Sequence, residues 1–262
     1  MNMKNLEFLN DQIFYTGFGK ELEEDLKANL EKGEKSFDLN YQNTYGTDKV
    51  EAKLNFTKSS QSELYFFNSY DMNLQKGNGQ EVRQRFFIGK ENNITLKEAY
   101  NLLCGRAINK SWTKLEKVGD GEDVKYKPTE EKYDAWLQLD FNNKDDNGNF
   151  KALRYHDNYN FDLDKFLSEL NIKGISNEAD KQQLVDSLKK GNRQAVIKVE
   201  QDETKQIFIE ANPKDRIVNV YEAKQSVSQK EEIAKSPKSQ KIEVTESIKR
   251  NERKQKKQGM QV

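Results

Sequence analysis

Apolar and polar residues alternate along several stretches of this sequence, and this period of two constrains the fold more than any other feature. Successive side chains of a β-strand point to opposite faces of a sheet, so alternation predicts a strand with one buried and one solvated face. The clearest stretch places apolar side chains at Tyr133, Ala135, Leu137, Leu139 and Phe141. Further strands are predicted near residues 37–41, 50–56, 64–67, 85–88, 150–156, 195–199, 207–209 and 217–221. Short turns between them predict antiparallel β-meanders.

Apolar spacings of three and four residues predict helices around these strands. Two helical patterns precede the first strand, at Leu6, Leu9 and Ile13 and then at Leu22, Leu26 and Leu30. Thr95 and Glu98 form a capping box, in which each side chain serves a backbone amide at the start of a helix. Two more helices are predicted, one starting at Asp162 and one spanning residues 178–190. This order of elements predicts an α+β fold with helices packed on one face of the sheets.

Three of the predicted helices end with the pattern Leu-x-x-Gly, and strands follow each of them. The pattern occurs at Leu30…Gly33, Leu102…Gly105 and Leu188…Gly191. One interpretation is an internal repeat of two or three related units, each made of a helix, a glycine stop and strands. The other is that glycine ends many helices because it adopts left-handed backbone angles without steric cost. Both interpretations stay open at the level of the sequence.

The sequence predicts two folded units followed by a segment of different character. We place the first α+β unit at residues 1–92 and the second at residues 93–222. Residues 116–131 are polar and contain Gly119, Gly121 and Pro128, which predicts a long loop. Residues 64–67 read Leu-Tyr-Phe-Phe and are apolar at every position, which predicts a central strand covered on both faces.

Charge is distributed unevenly, although the whole chain has 44 basic and 44 acidic side chains. Residues 222–262 contain 11 basic and 6 acidic side chains, so the net charge is +5 there and −5 in the body. Apolar residues are sparse at the end of the chain, and residues 223–262 are predicted to form a disordered tail. A basic run in this tail is predicted to contact nucleic-acid phosphates weakly and without sequence preference; its cations are Lys249, Arg250, Arg253, Lys254, Lys256 and Lys257. The alternative is an exposed solubilising end.

Composition argues against several classes of protein. No run approaches the roughly 18 apolar residues that a membrane helix requires, so no membrane partner is expected. The first residues lack the apolar core of a secretory signal, and Cys104 has no second cysteine for an internal disulfide, which predicts a cytoplasmic protein. One histidine and one cysteine cannot build a standard zinc site. No phosphate-binding glycine motif is present either, so neither a metal nor a cofactor is predicted.

A complete catalytic signature is missing, which makes an enzyme the less favoured class. His156 precedes Asp157, and such a pair could act as a general base with its orienting carboxylate. Cys104 follows two leucines on the apolar side of a predicted helix, where a free cysteine usually packs as a small core residue. An enzyme that uses carboxylates or the pair Cys104 and His156 stays an alternative, because adjacency in space is not visible in a sequence.

Three residues just past a predicted helix end, Gly105, Arg106 and Lys110, are our candidate partner-binding site. Irregular segments held by a scaffold often carry contacts to partners, so an exposed corner is expected here. The alternative is that Arg106 and Lys110 interact with the negative end of the helix dipole.

Three stretches of the sequence carry a further signal. They are residues 101–110, NLLCGRAINK; residues 133–141, YDAWLQLDF, with Asn147-Gly148-Asn149-Phe150; and residues 207–213, IFIEANP, with Ile217-x-Asn219-Val220-Tyr221. In these stretches the chain resembles an uncharacterised family of Bacteroidota proteins, whose members are often encoded on conjugative transposons and other mobile elements. The resemblance covers about residues 5–222. It implies a context and no activity, because no catalytic residue is assigned in that family.

These observations lead to three hypotheses from different classes. The first is a non-enzymatic accessory protein of a mobile element, whose acidic body binds a protein partner, such as a DNA-processing protein of the element, and whose basic tail contacts nucleic acid. The second is an interference factor whose acidic body covers the basic DNA-binding surface of a host defence enzyme. The third is the enzyme described above. The charge split, the missing catalytic set and the resemblance favour the first.

Overall fold

The order of elements alternates helices with groups of antiparallel strands. The computed structural model describes residues 1–120, 124–201 and 203–222, and the predicted tail lies outside these described residues. The helices are α1 (Met3–Ile13), α2 (Glu23–Lys32), α3 (Leu96–Leu103), α4 (Leu163–Glu169) and α5 (Glu178–Lys189). The strands are β1 (Ser36–Tyr45), β2 (Asp48–Lys58), β3 (Tyr65–Gln75), β4 (Glu81–Phe87), β5 (Ile108–Val118), β6 (Lys125–Lys144), β7 (Phe150–His156), β8 (Gln194–Glu200), β9 (Glu203–Asn212) and β10 (Ile217–Glu222).

The described strands form three antiparallel meanders. The first sheet has the order β1-β2-β3-β4, the second β5-β6-β7 and the third β10-β9-β8. Every hydrogen-bonded neighbour is also a neighbour in sequence, so each sheet is built from hairpins alone. The predicted α+β class with antiparallel meanders is therefore confirmed.

Side-chain caps fix the starts of the later helices. Thr95 accepts from the amide of Glu98, and the Glu98 carboxylate accepts from the amide of Thr95 at 2.8 Å, which confirms the predicted capping box. Asp162 caps α4, and Asn177 caps α5. These side chains satisfy amides that have no partner inside the first turn of a helix.

All three predicted glycine stops are present, and each precedes one of the three sheets. Gly33, Gly105 and Gly191 have φ angles of 72°, 87° and 78°, the left-handed region that side chains with a Cβ rarely adopt. The ends of α3 and α5 share the same closing bonds, from Gly105 to Leu102, Arg106 to Asn101, Gly191 to Leu188 and Asn192 to Ser187. The arrangement of helix, glycine and strands is therefore confirmed, and a common origin of the units stays a prediction.

Two hydrophobic cores lie on opposite faces of the second sheet. The first core joins α1, α2 and α3 to the inner face of the first sheet, and Leu137 and Leu139 of β6 belong to it. The second core joins α4 and α5 to the third sheet, and it includes Trp136 of β6. Alternate side chains of β6 thus serve both cores. The division into units at residues 1–92 and 93–222 stays a prediction, and the first core crosses this boundary because it includes α3.

One prediction about an individual segment was wrong, and another was correct only in part. Residues 116–131 do not form a long loop, because Glu116 pairs with Lys127 and Val118 with Lys125 in the hairpin of β5 and β6. We call residues 113–118 and 125–132 the ribbon; most of its side chains are exposed on both faces, so its sequence carries no alternation. The stretch at residues 64–67 does enter a central strand, as predicted, because β3 lies between β2 and β4. It is not covered on both faces, since Phe66 is 49% exposed while Tyr65 and Phe67 are buried.

Candidate functional site

Arg106 of the predicted binding corner is buried, with 7% of its surface exposed. Its Nη2 donates to Oδ1 of Asn101 at 2.5 Å, and its guanidinium lies 5.3 Å from the centre of the Tyr100 ring. The expectation of an exposed corner was therefore wrong for Arg106. The physical reason is that the Arg106 side chain packs against Tyr100 and Asn101 of α3.

Lys110 is also engaged inside the protein. Its Nζ lies 2.8 Å from Oε2 of Glu98 and 2.7 Å from the carbonyl oxygen of Asn93. Only 14% of the Lys110 side chain and 9% of the Glu98 side chain are exposed. Lys110 thus pairs with a carboxylate in the first turn of α3 and not with the carbonyls of its last turn. A partner-binding role for Gly105, Arg106 and Lys110 stays a prediction.

Asn101 and Gly191 form a junction where the ends of α3 and α5 meet. The Nδ2 of Asn101 donates to the carbonyl of Lys190 at 2.6 Å and to Oδ1 of Asn192 at 2.9 Å. A Cβ on Gly191 would lie 2.8 Å from the carbonyl oxygen of Ala107, closer than real Cβ atoms approach. The junction therefore requires glycine for its backbone angles and also for space.

Glu210 centres a second polar group on the third sheet. Arg193 donates to it at 3.0 Å, Asn219 donates at 3.1 Å, and the hydroxyl of Tyr221 donates to the same carboxylate. Burial alone would raise the pKa of Glu210, but the hydrogen bond from Tyr221 and the charge of Arg193 bring the pKa below its ordinary value of 4.5. The carboxylate is thereby held ionised as a structural acceptor.

Cys104 and His156 have different surroundings. Cys104 packs against the first core, and burial raises the pKa of its thiol, which opposes formation of the nucleophilic thiolate. The His156 ring lies on β7 and packs 5.1 Å from the ring of Tyr133. Within the described residues, no group of three or more His, Cys, Asp or Glu side chains could hold a metal ion. An enzymatic function has gained no supporting observation and stays an alternative.

A polar groove of about 650 Å³ lies between the outer face of the first sheet and the turn of the β6–β7 hairpin. Two of its charged side chains pair with each other, since Arg85 donates twice to Asp71, at 2.6 and 2.9 Å, and Lys53 lies 2.6 Å from Asp38, which is outside the groove wall. The groove walls also include Asn40, Gln42, Asn73, Asn147 and Asn149. Such a surface can donate and accept hydrogen bonds, because each amide side chain carries an N–H donor and a carbonyl acceptor.

Large apolar side chains are exposed on α1 and the π-helical turn Phe14–Phe18 that follows it. Met3 is 65% exposed, Phe8 58%, Phe14 45% and Tyr15 76%, and we call these four residues the α1 patch. Glu7 and Asp11 are exposed on the same helix. This surface was not predicted from the sequence. A signal for it was present, since these residues are apolar and fall outside the buried face of Leu6, Leu9 and Ile13.

The six cations of the predicted nucleic-acid contact, at 249–257, lie outside the described residues. No described helix is long and apolar enough to cross a membrane. Comparison with models of protein families, with curated proteins and with solved structures gives no match for this chain. The resemblance to the Bacteroidota family therefore stays a prediction.

Proposed function

We propose that this chain is a non-enzymatic accessory protein of a mobile genetic element, which acts in the cytoplasm and binds a protein partner through its body. The α1 patch is the observation that supports this proposal. Exposed apolar patches on folded proteins mark interaction surfaces, and aromatic residues and Met are enriched at protein interfaces.

The α1 patch is presented by a helix that is already fixed in place. Leu6, Leu9 and Ile13 are buried on the opposite side of α1, and Asn5 exchanges two hydrogen bonds with the backbone of Tyr65, at 2.7 and 3.0 Å. A partner therefore does not have to order this helix, which lowers the entropic cost of binding. Burial of one exposed Phe or Met side chain contributes roughly 1.5–3 kcal/mol.

The charges beside the α1 patch define the chemistry of the partner. Glu7 and Asp11 are exposed next to the apolar side chains and outnumber the one exposed cation of α1, Lys4. The first turn of α2 carries Glu23, Glu24 and Asp25. An apolar surface bordered by Lys and Arg complements this combination. Proteins that process DNA carry basic surfaces, so the DNA-processing proteins of the same element are the proposed partners.

The basic tail adds a second contact in this proposal. Its six cations at 249–257 neutralise phosphates without reading a base sequence, and this keeps the protein near the nucleic acid that its partner processes. The body and the tail then have separate tasks, recognition of a protein and weak retention on nucleic acid.

The double variant Phe8→Ser/Tyr15→Ser tests the role of the α1 patch. Wild-type protein, expressed in cells that carry the element, is expected to capture a DNA-processing protein of that element, and purified components are expected to reproduce the complex by calorimetry. The double variant should weaken binding at least 100-fold. A matched control is Phe66→Ser/Phe87→Ser, which removes two aromatic side chains that are 49% and 72% exposed on the first sheet. Equal binding by both double variants contradicts the proposal.

Replacement of all six tail cations by Gln tests the nucleic-acid contact. The affinity of the wild-type chain for duplex DNA is expected to fall roughly 10³-fold between 50 and 200 mM salt, as about six phosphate contacts require. The Gln variant should lose this salt dependence and still bind the protein partner. Salt-independent DNA binding, or none by the wild-type chain, removes the tail from the proposal.

A further inference from the structure

The two edges of the first sheet differ in how they are protected. The β4 edge is covered by the β6–β7 turn, because the amide of Arg85 donates to Oδ1 of Asn149 at 2.9 Å and the amide of Phe150 donates to Oε1 of Gln84 at 2.8 Å. It also carries Glu81, Arg83 and Arg85, and charged side chains on an edge strand oppose pairing with another strand. The β4 edge is thus closed to further strands.

The β1 edge lacks these protections along ten residues, Ser36–Tyr45. It contains neither Lys nor Pro, and Asp38 is its only charged residue. No other described strand pairs with this side of β1. A long edge strand without protecting residues is a template for strand addition.

The register of the β1–β2 hairpin shows which backbone groups face outward. Tyr45 pairs with Asp48 across a two-residue turn, and the amide of Lys58 donates to the carbonyl of Lys35 at 2.8 Å. Both observations place the odd-numbered residues of β1 in the bonded pairs with β2, since bonded pairs alternate along an antiparallel ladder. The amides and carbonyls of Asp38, Asn40 and Gln42 therefore point away from the sheet.

The sequence of β1 is complementary to itself in one antiparallel register. If Tyr41 lies opposite Tyr41 of a second copy, Asn40 lies opposite Gln42, and Asp38 lies opposite Thr44. No charged residue then faces a like charge. Phe37, Leu39 and Tyr41 also keep to one face in both copies, because the register is even and does not exchange the faces.

We propose that two copies of this chain associate through β1, so that their first sheets join into one continuous antiparallel sheet about a two-fold axis at Tyr41. A second copy fits better than a disordered peptide, because its β1 edge is already ordered and has the same alternation of apolar and polar side chains. This inference is independent of the proposed partner, since the α1 patch does not include β1.

Analytical ultracentrifugation of the full-length protein tests this association. The wild-type chain is expected to sediment with twice the monomer mass of 30.6 kDa at micromolar concentration. Asn40→Pro removes an outward amide while leaving the bonded pairs of β1 with β2, so it should be monomeric with unchanged circular dichroism. Asn40→Thr keeps the amide and should remain dimeric. A monomeric wild-type chain at 100 μM overturns the proposal, and so does a dimeric Asn40→Pro variant.

Two further measurements keep the test decisive. If Asn40→Pro misfolds, the variant Gln42→Lys is used instead. The added lysine places a charge on the β1 edge and should raise the dimer dissociation constant at least tenfold. Hydrogen exchange should show amides 38, 40 and 42 gaining protection as protein concentration rises, while the covered amide of Arg85 does not change. Association that disappears in 0.5 M salt indicates contact between oppositely charged regions and contradicts pairing through β1. Association that leaves amides 38, 40 and 42 unprotected contradicts it as well.

Discussion

The two cores differ in size and in the contacts at their borders, although both include buried polar groups, such as Asn5 and Glu98 beside the first core and Glu210 beside the second. The first core is dominated by apolar and aromatic side chains, among which Phe18 contacts the rings of Tyr41 and Tyr70 at 5.2 Å each. The second core is smaller and is bordered by the junction of Asn101 with Gly191 and by the polar group around Glu210. Apolar packing tolerates many side chains of similar volume, whereas a buried polar group must keep its particular partners. Substitutions in the apolar interior and substitutions at the buried polar contacts should therefore affect stability in different ways.

Removal of an aromatic ring from the first core should have the largest effect. Phe18→Ala is expected to lower the free energy of unfolding by about 3–5 kcal/mol, because Phe18 is fully buried and its loss leaves a cavity. Urea denaturation measures this change. Phe14→Ala, at a side chain that is 45% exposed, is the control and should cost less than about 1 kcal/mol. Similar losses in both variants would show that the first core is loosely packed.

Substitution of alanine at two helix-ending glycines should destabilise the protein by clearly different amounts. Gly191→Ala is expected to cost about 3 kcal/mol, because its Cβ meets the Ala107 carbonyl oxygen and its φ is positive. Gly33→Ala has the same positive φ but no atom within 4 Å of its Cβ, so about 1 kcal/mol is expected from backbone strain alone. Thermal unfolding measures both variants. Equal losses of stability in the two variants would show that the junction has no steric requirement for glycine at position 191.

Removal of the Asn101 side chain tests how much the hydrogen bonds of the junction contribute to stability, without a change at Gly191. Asn101→Ala leaves the Lys190 carbonyl and the Arg106 guanidinium without this partner, and a cost of about 2 kcal/mol is expected. Asn29→Ala is the matched control, since its amide donates to a helix carbonyl at the surface and should change stability by less than about 0.5 kcal/mol. If both asparagines contribute equally, the junction is not a special determinant of the second core.

The smallest expected effect depends on pH and concerns Glu210. Its folded-state pKa lies below 4.5, so its ionised form stabilises the fold above that pH, and this contribution is lost as the pH falls through the folded-state pKa. Glu210→Gln should therefore be about 1 kcal/mol less stable than the wild type at pH 7, and this difference should shrink as the pH falls through the folded-state pKa of Glu210. Glu203→Gln, on the exposed start of β9, serves as the control. A difference that does not change with pH would contradict the ionised role of Glu210.

Local patterns in the sequence predicted most helices and strands. Contacts between residues far apart in the sequence determine which side chains are buried, and local patterns do not show these contacts. The capping box, the glycine stops and β7 were predicted correctly, because each depends on neighbouring residues or on simple alternation. The ribbon was missed because backbone pairing holds it together while both of its faces meet water. The corner at Arg106 was assigned to the surface because sequence patterns do not show that its guanidinium packs against Tyr100 and Asn101. Asn101 is in turn bonded to Lys190, which comes 89 positions later. The α1 patch was missed although its apolar residues are visible in the sequence.

The separation of 89 residues between Asn101 and Lys190 also has a consequence for the order of folding. The first sheet is made of hairpins between consecutive strands, so its contacts close short loops. The junction closes a much longer loop, and during synthesis its α3 half leaves the ribosome well before α5 is made. Until α5 arrives, the end of α3 is open to water. The nascent chain thus passes through a stage in which the first sheet can form while the end of α3 still lacks its contact with the end of α5.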